Sequence, residues 1–198
     1  MSQNIPSPVV KAAPVTWRQR LPQQRLTVEF MYLDLNLCTR CLATEAHLAE
    51  ALTEVAGLLD AAGIAVTLTK IPVQSLEQAV ALGFSSSPTI RVNGRDIHLD
   101  SRESHCGPCS TVSGVNTDCR VWWYQGQEYE APPTAMIVDA LLQAVCGSPG
   151  TGAPRAPIPD SARANLQRFF EAKQQRQEGA GAGDQNQNGE CCAGDCCC

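Results

Sequence analysis

Leu26-Thr-Val-Glu-Phe-Met-Tyr-Leu33, followed five residues later by Cys38-Thr-Arg-Cys41, is the stretch on which the fold turns. The first run is short and rich in β-branched and aromatic residues, the signature of one buried strand. After Cys41 the apolar residues Leu42, Leu48, Leu52, Val55, Leu58 and Leu59 recur at helical spacing, and Gly63 stands where such a helix stops. The two cysteines therefore fall at a strand-to-helix junction. Free backbone N–H groups and the helix dipole favour a thiolate there and lower the pKa of the leading cysteine. Arg40 adds a positive charge between the two thiols.

Working outward, Ile64-Ala-Val-Thr-Leu-Thr-Lys-Ile71 reads as a second buried strand. Ser75 to Leu82 reads as a short helix, with Ser75 as cap, Gln78 completing a capping box and Gly83 at its end. Pro88 opens a short strand, Thr89 to Val92, which closes at an Asn93-Gly94 turn. Arg95 to Asp118 is polar, punctuated and without either period, and is expected to be a long loop or small insert. Arg120 to Tyr124 resumes strand character. Gln125-Gly126-Gln127 supplies a turn, and Glu128 to Glu130 pairs back as a hairpin. Pro132-Pro133 precede an amphipathic helix, Thr134 to Val145, with Met136, Ile137, Leu141, Leu142 and Val145 on its apolar side. The order predicts an α/β layer architecture.

The flanks differ in kind. Residues 1–24 hold Pro6, Pro8, Pro14 and Pro22 among polar residues and read as a flexible arm, with Trp17 docking on the domain. Residues 25–147 form the domain and 148–160 a proline-rich linker. Residues 161–178 suit a helix with few apolar positions, capped by Asp160 or Ser161. Residues 179–198 cannot bury a core and are expected to be disordered.

Composition excludes several classes. The 198 residues are 43% hydrophobic but only 5% aromatic, which suits one domain plus polar extensions. A net charge of −5 without a basic face makes nucleic acid a poor partner. No apolar run is long enough to span a membrane, and residues 1–25 lack the apolar segment of a secretory signal, so the expected address is the cytoplasm. Eleven cysteines in that compartment point to metal or redox chemistry.

The cysteines divide into three groups. Cys38 and Cys41 suit a redox-active or soft-metal-binding dithiol, half of a zinc site completed by the insert, or inert buried thiols. Cys106, Cys109 and Cys119, with His105 adjacent, suit zinc ligation by thiolates and one imidazole, a structural disulfide, or a thiol pair that resolves Cys38/Cys41. Cys191, Cys192, Cys196, Cys197 and Cys198 place five thiols in eight residues. Adjacent cysteines form strained disulfides and tend to remain as dithiols, and such thiols select Hg(II), As(III), Cu(I), Zn(II) or Cd(II). Cys146 reads as a small core residue, and His47 and His98 as ordinary histidines.

Three features together, the element order, Cys38-x-x-Cys41 at its junction and Ser87-Pro88-Thr89 before the third strand, resemble the thioredoxin fold. The resemblance covers residues 25–147 and implies a three-layer domain with a Cys-rich insert between the third and fourth strands. It also implies that Pro88 faces Cys38 and Cys41, making these three the catalytic positions. Cys106-Gly-Pro-Cys109, Cys119-Arg120 and Tyr124-Gln-Gly-Gln-Glu-Tyr129 are similar to a family of small thioredoxin-like prokaryotic proteins known only as a domain of unknown function. Cys106-Gly-Pro-Cys109 carries the residues of a thioredoxin active site but is flanked by polar sequence with no strand before it and no helix after it. The thioredoxin-type pair is therefore expected at Cys38/Cys41, with Cys106 to Cys109 a decoy.

The expected function is binding or transfer of soft metals or metalloids. The tail would capture an ion and pass it by thiol exchange to Cys38/Cys41, with a thiol reductant or metal-handling protein as partner. Two alternatives are a thiol–disulfide oxidoreductase, in which Cys38 attacks and Cys41 resolves, and a non-catalytic zinc-stabilised module. Cleavage of a carbon–metal bond with Asp34 as acid is a more remote one.

Overall fold

The computed structural model describes residues 24–99, 102–147 and 157–181, with side chains to 179. The N-terminal arm with Trp17, most of the proline-rich linker and the five-cysteine tail lie outside the described residues.

β1 (Gln24–Tyr32) is the axis of the molecule. Its alternation sends Val28 and Phe30 to one face and Met31, with Leu33 just beyond, to the other. Each face carries its own core. On the first, Phe30 and Ile90 meet Leu48, Val55 and Leu59 of α1 (Thr39–Ala61) and Ile137 and Leu141 of α4 (Thr134–Cys146). On the second, Met31 and Leu33 meet five cysteines, Phe84, Leu166 and Phe169. Of the helical leucines expected inside, Leu42 and Leu58 are exposed, because the buried stripe of α1 runs through Cys41, Thr44, Leu48, Ala51, Val55 and Leu59.

β2 (Ile64–Pro72) pairs parallel with β1, and β3 (Thr89–Val92) pairs antiparallel with it on the other side. With β4 (Arg95–Asp96) the order is β2-β1-β3-β4. β2 is thus an edge strand and most of it is exposed, contrary to the buried strand its composition suggests. Its β-branched residues reflect pleat propensity, not burial. α2 (Leu76–Leu82) begins at the predicted cap: the Ser75 side chain accepts from the Gln78 N–H, while the Gln78 side-chain Oε1 reaches back one residue further than a capping box does and accepts from the Gln74 N–H. Asn93 and Gly94 both take positive φ, 51° and 77°, and turn β3 into β4.

The segment expected to be a loop is ordered. β5 (Arg102–His105) leads into α3 (Gly107–Ser113) and then into β6 (Asp118–Tyr124). β6 returns antiparallel on β5 and continues into β7 (Gln127–Tyr129), giving a second sheet, β5-β6-β7. Pro108 in the first turn and Gly114 at φ 83° mark the ends of α3, but seven residues are too few to show a period. Its side-chain network holds it instead. Ser110 Oγ donates to the Cys106 carbonyl and accepts from the Thr117 N–H, and the Cys106 N–H donates to the Thr117 carbonyl. α5 (Asp160–Gly181) closes the second core by inserting Leu166 and Phe169, and Asn165 pairs twice with the backbone of Asp118. No helix among the described residues is long and apolar enough to cross a membrane.

Phe30→Ala empties the centre of the first core and is expected to cost about 3–5 kcal/mol. Lys70→Ala removes only a surface ion pair with Glu45 and is expected to cost under ~1 kcal/mol. Urea denaturation midpoints of the two variants check the pair.

Candidate metal centre

Two helices begin at the same point in space. Cys38 occupies the N-cap position of α1 and Cys106 that of α3, both in extended backbone conformation. Neither side chain caps its own helix, so both sulfurs are free to face elsewhere. They face each other and the thiols of Cys109, on the first turn of α3, and Cys119, on β6. The four sulfurs all lie within 4.8 Å of one another. Each of the four residues is at most 1% exposed. None is in a disulfide, and Cys119 Sγ lies 3.3 Å from Cys109 Sγ.

This arrangement corrects two expectations. Cys106-Gly-Pro-Cys109 is no decoy: a strand precedes it and a helix follows it, the same local geometry as at Cys38. The fourth member beside Cys106, Cys109 and Cys119 is Cys38, not His105, whose side chain is exposed while its carbonyl accepts from Arg40. The insert thiols are free here and gather with Cys38. Cys41 sits one helical turn past Cys38, equally buried, with its sulfur 3.3 Å from Ser87 Oγ. Pro88 follows through a cis peptide and leads into β3. Cys146, expected in the core, is exposed at the end of α4. His47 lies 2.8 Å from the Pro132 carbonyl, and His98 packs on Trp122. The tail cysteines are outside the described residues.

The five thiols are shifted in opposite directions. Hydrogen bonds from Cys106, Cys109, Cys119 and Cys41 push the Cys38 thiol well below the ordinary cysteine range. Hydrogen bonds from Cys109 and Cys119 lower Cys106. Donation to Cys106 raises both Cys109 and Cys119. Donation to Cys38, then burial, raises Cys41. The two lowered thiols are those at helix N-caps, where the local dipoles favour negative charge.

Arg40 joins the halves of the site. The sequence suggests a cation beside the thiols, but the side chain is buried and points along the insert. Its guanidinium donates to the carbonyls of Ser104, His105 and Cys119, to Ser104 Oγ and to Glu130. Burial pulls its pKa down, but the hydrogen bond and charge of Glu130 outweigh that and hold it above its usual value. One residue of α1 thus holds both strands that flank α3. Sequence reading missed this role because the partners are backbone carbonyls more than sixty positions away. The neighbouring Glu103 carboxyl is pushed up by burial.

Four convergent cysteine sulfurs suit one ion. A tetrahedral ion with metal–sulfur bonds of about 2.3 Å sets its sulfurs about 3.8 Å apart, inside the 4.8 Å that bounds every pair here, with Cys109 and Cys119 opening from 3.3 Å. The same compactness leaves no room for an iron–sulfur cluster, whose ligands must surround several metal atoms. Such an ion would hold its four ligands as thiolates.

Fold and site together define a mixed α/β protein with a buried four-cysteine cluster able to hold a metal ion. The chain belongs to the family described as a domain of unknown function, DUF2703, which it matches over residues 26–141. That match takes in all four cysteines, Cys41 and Pro88, and ends before α5. No curated protein and no solved structure matches the chain.

Arg40→Ala strands three carbonyls and is expected to cost about 3 kcal/mol. Arg40→Lys, a single ammonium without the fork, is expected to recover less than half of that. Amide exchange in residues 102–105 and 118–120, measured with global stability, checks both.

Proposed function

We propose that this chain is a metal-binding protein in which Cys38, Cys106, Cys109 and Cys119 hold one thiophilic ion. The observation that carries the reading is the convergence of four thiols from three separate segments on one buried point. Buried thiols assembled from distant positions need a common partner, and four sulfurs suit the divalent ions Zn(II), Cd(II) and Hg(II). As(III) would take three of the four. In the finer form of the proposal the ion is cargo. Cys191, Cys192, Cys196, Cys197 and Cys198 then form a thiol-dense run that captures a soft ion and passes it to the centre. A thiol reductant or another metal-handling protein is the partner such transfer needs.

The thioredoxin-like reading belongs to the same proposal. It is supported by the order β1-α1-β2-α2-β3, by the parallel β1–β2 and antiparallel β1–β3 pairs, and by Pro88 just before β3. The position of Ser87 and Pro88 against Cys41 favours a second reading, disulfide exchange by Cys38 and Cys41. Burial of Cys38 weighs against it, because a nucleophile must meet its substrate. Closure of the centre is equally the character of a structural zinc site, so ion exchange rates separate cargo from scaffold.

Native mass spectrometry of the full chain is expected to show one tightly held Zn(II), Cd(II) or Hg(II). Cys119→Ser is expected to lose it at stoichiometric ion, and acidification to release it, since the ligands must be thiolates. Binding unaffected by Cys119→Ser overturns the centre. A chain ending at Glu178 is expected to keep this ion but to bind less added Hg(II) in total. Unchanged Hg(II) stoichiometry overturns tail capture.

A further inference from the structure

β2 (Ile64–Pro72) ends the first sheet, and among the described residues no strand pairs with its outer side. Nine residues is long for that position, where natural sheets keep edges short, bulged or broken by proline. Here the register with β1 is unbroken from Ile64 to Pro72, and proline enters only at the last residue. The single charged residue of the strand, Lys70, is already paired with Glu45 of α1 at 2.6 Å. Val66 and Leu68 are 38% and 37% exposed. Both point to the α1 side. There a groove of about 370 Å³ between strand and helix is lined by Ile64, Val66 and Leu68 with Leu52, Ala56 and Asp60.

We propose that a second copy of this chain covers this edge, its β2 running antiparallel to the first about a twofold axis at Thr67. The surface is complementary to itself in that register. Val66 of each copy comes opposite Leu68 of the other, and the two grooves close on one apolar layer. The ends carry opposite charge. Lys70 comes opposite Ile64 of the second copy, and Asp60 borders the groove beside Ile64. Lys70 then sits between its own Glu45 and Asp60 of the second copy. A register two residues away sets Lys70 against Val66 instead, so the charges choose the alignment while the apolar middle supplies the affinity. The strip is about 30 Å long and about 10 Å deep, the width of one helix. That is small for a protein interface, so the dimer forms and dissociates reversibly. The inference is independent of the four-thiol centre, none of whose cysteines lines the groove.

Sedimentation velocity of the full chain, with its thiols kept reduced, is expected to show a monomer–dimer equilibrium. Amide exchange at those residues of 64–70 whose N–H groups face away from β1 is expected to slow as concentration rises through it. A monomer at all concentrations overturns the proposal. Protection of those amides that does not change with concentration also overturns it, and makes the covering segment part of the same chain. Val66→Lys sets two lysines diagonally across the axis, about 8 Å apart, and is expected to weaken the dimer about tenfold or more. Asp60→Lys is expected to weaken it several-fold, and Lys70→Glu added to the same chain to restore it. Within one chain these two residues lie at opposite ends of the strand, about 20 Å apart, so such rescue arises only between copies. A dimer indifferent to Val66→Lys, or unrescued by the reversed pair, uses another surface and overturns the proposal. The wild-type exchange data decide even where a variant fails to fold.

Discussion

The rest of the structure depends on holding two helix N-termini against each other. Cys38 begins α1 and Cys106 begins α3, and each brings partial positive charge to the same small volume. Bringing such ends together is unfavourable unless negative charge lies between them. The cysteine sulfurs at the two caps, both lowered in pKa, are where such charge is favoured. Closing the chain between Arg40 and Ser104 also costs conformational entropy, about 4 kcal/mol for a loop of that length. Arg40 offsets this with five hydrogen bonds across the junction, four of them to β5 and β6.

The two cores divide the work. The face of β1 that carries Val28 and Phe30 builds an ordinary apolar core with α1 and α4 and gives the domain its stability. The opposite face carries Met31 and Leu33 and builds a smaller core whose substance is largely sulfur. Thiols pack as small apolar groups when protonated and become strong ligands when they are not. The second core therefore uses the same side chains for packing and for ligation. α5 completes it from outside the family match, so the enclosure of the centre is partly supplied by a segment the shared domain does not include.

Much of this was legible in the residues. The strand at Leu26, the cysteine at its junction with a helix, the Ser75 cap and the Asn93-Gly94 turn each rest on local rules and stand in the structure close to where those rules put them. Local rules failed where length or position overrode them. The strand from Ile64 is exposed because it lies at the sheet edge, which its own composition does not encode. α3 is too short to show a helical period and is held by Ser110, Thr117 and the strand beside it.

The sequence by itself determined the chemistry: an abundance of thiols, two Cys-x-x-Cys pairs and the strand-to-helix junction that activates the first. Only the tertiary structure decided how the thiols are grouped. It split the first pair, sending Cys38 to Cys106, Cys109 and Cys119 and turning Cys41 toward Ser87. It also made Cys38, in place of His105, the fourth member of the cluster. The physical reason is that a ligand set is a matter of distance in space. Cys38 and Cys119 are far apart along the chain, and the Arg40 hydrogen bonds that join their segments end on backbone carbonyls. Every residue type has such a carbonyl, so no pattern of side chains announces the contact.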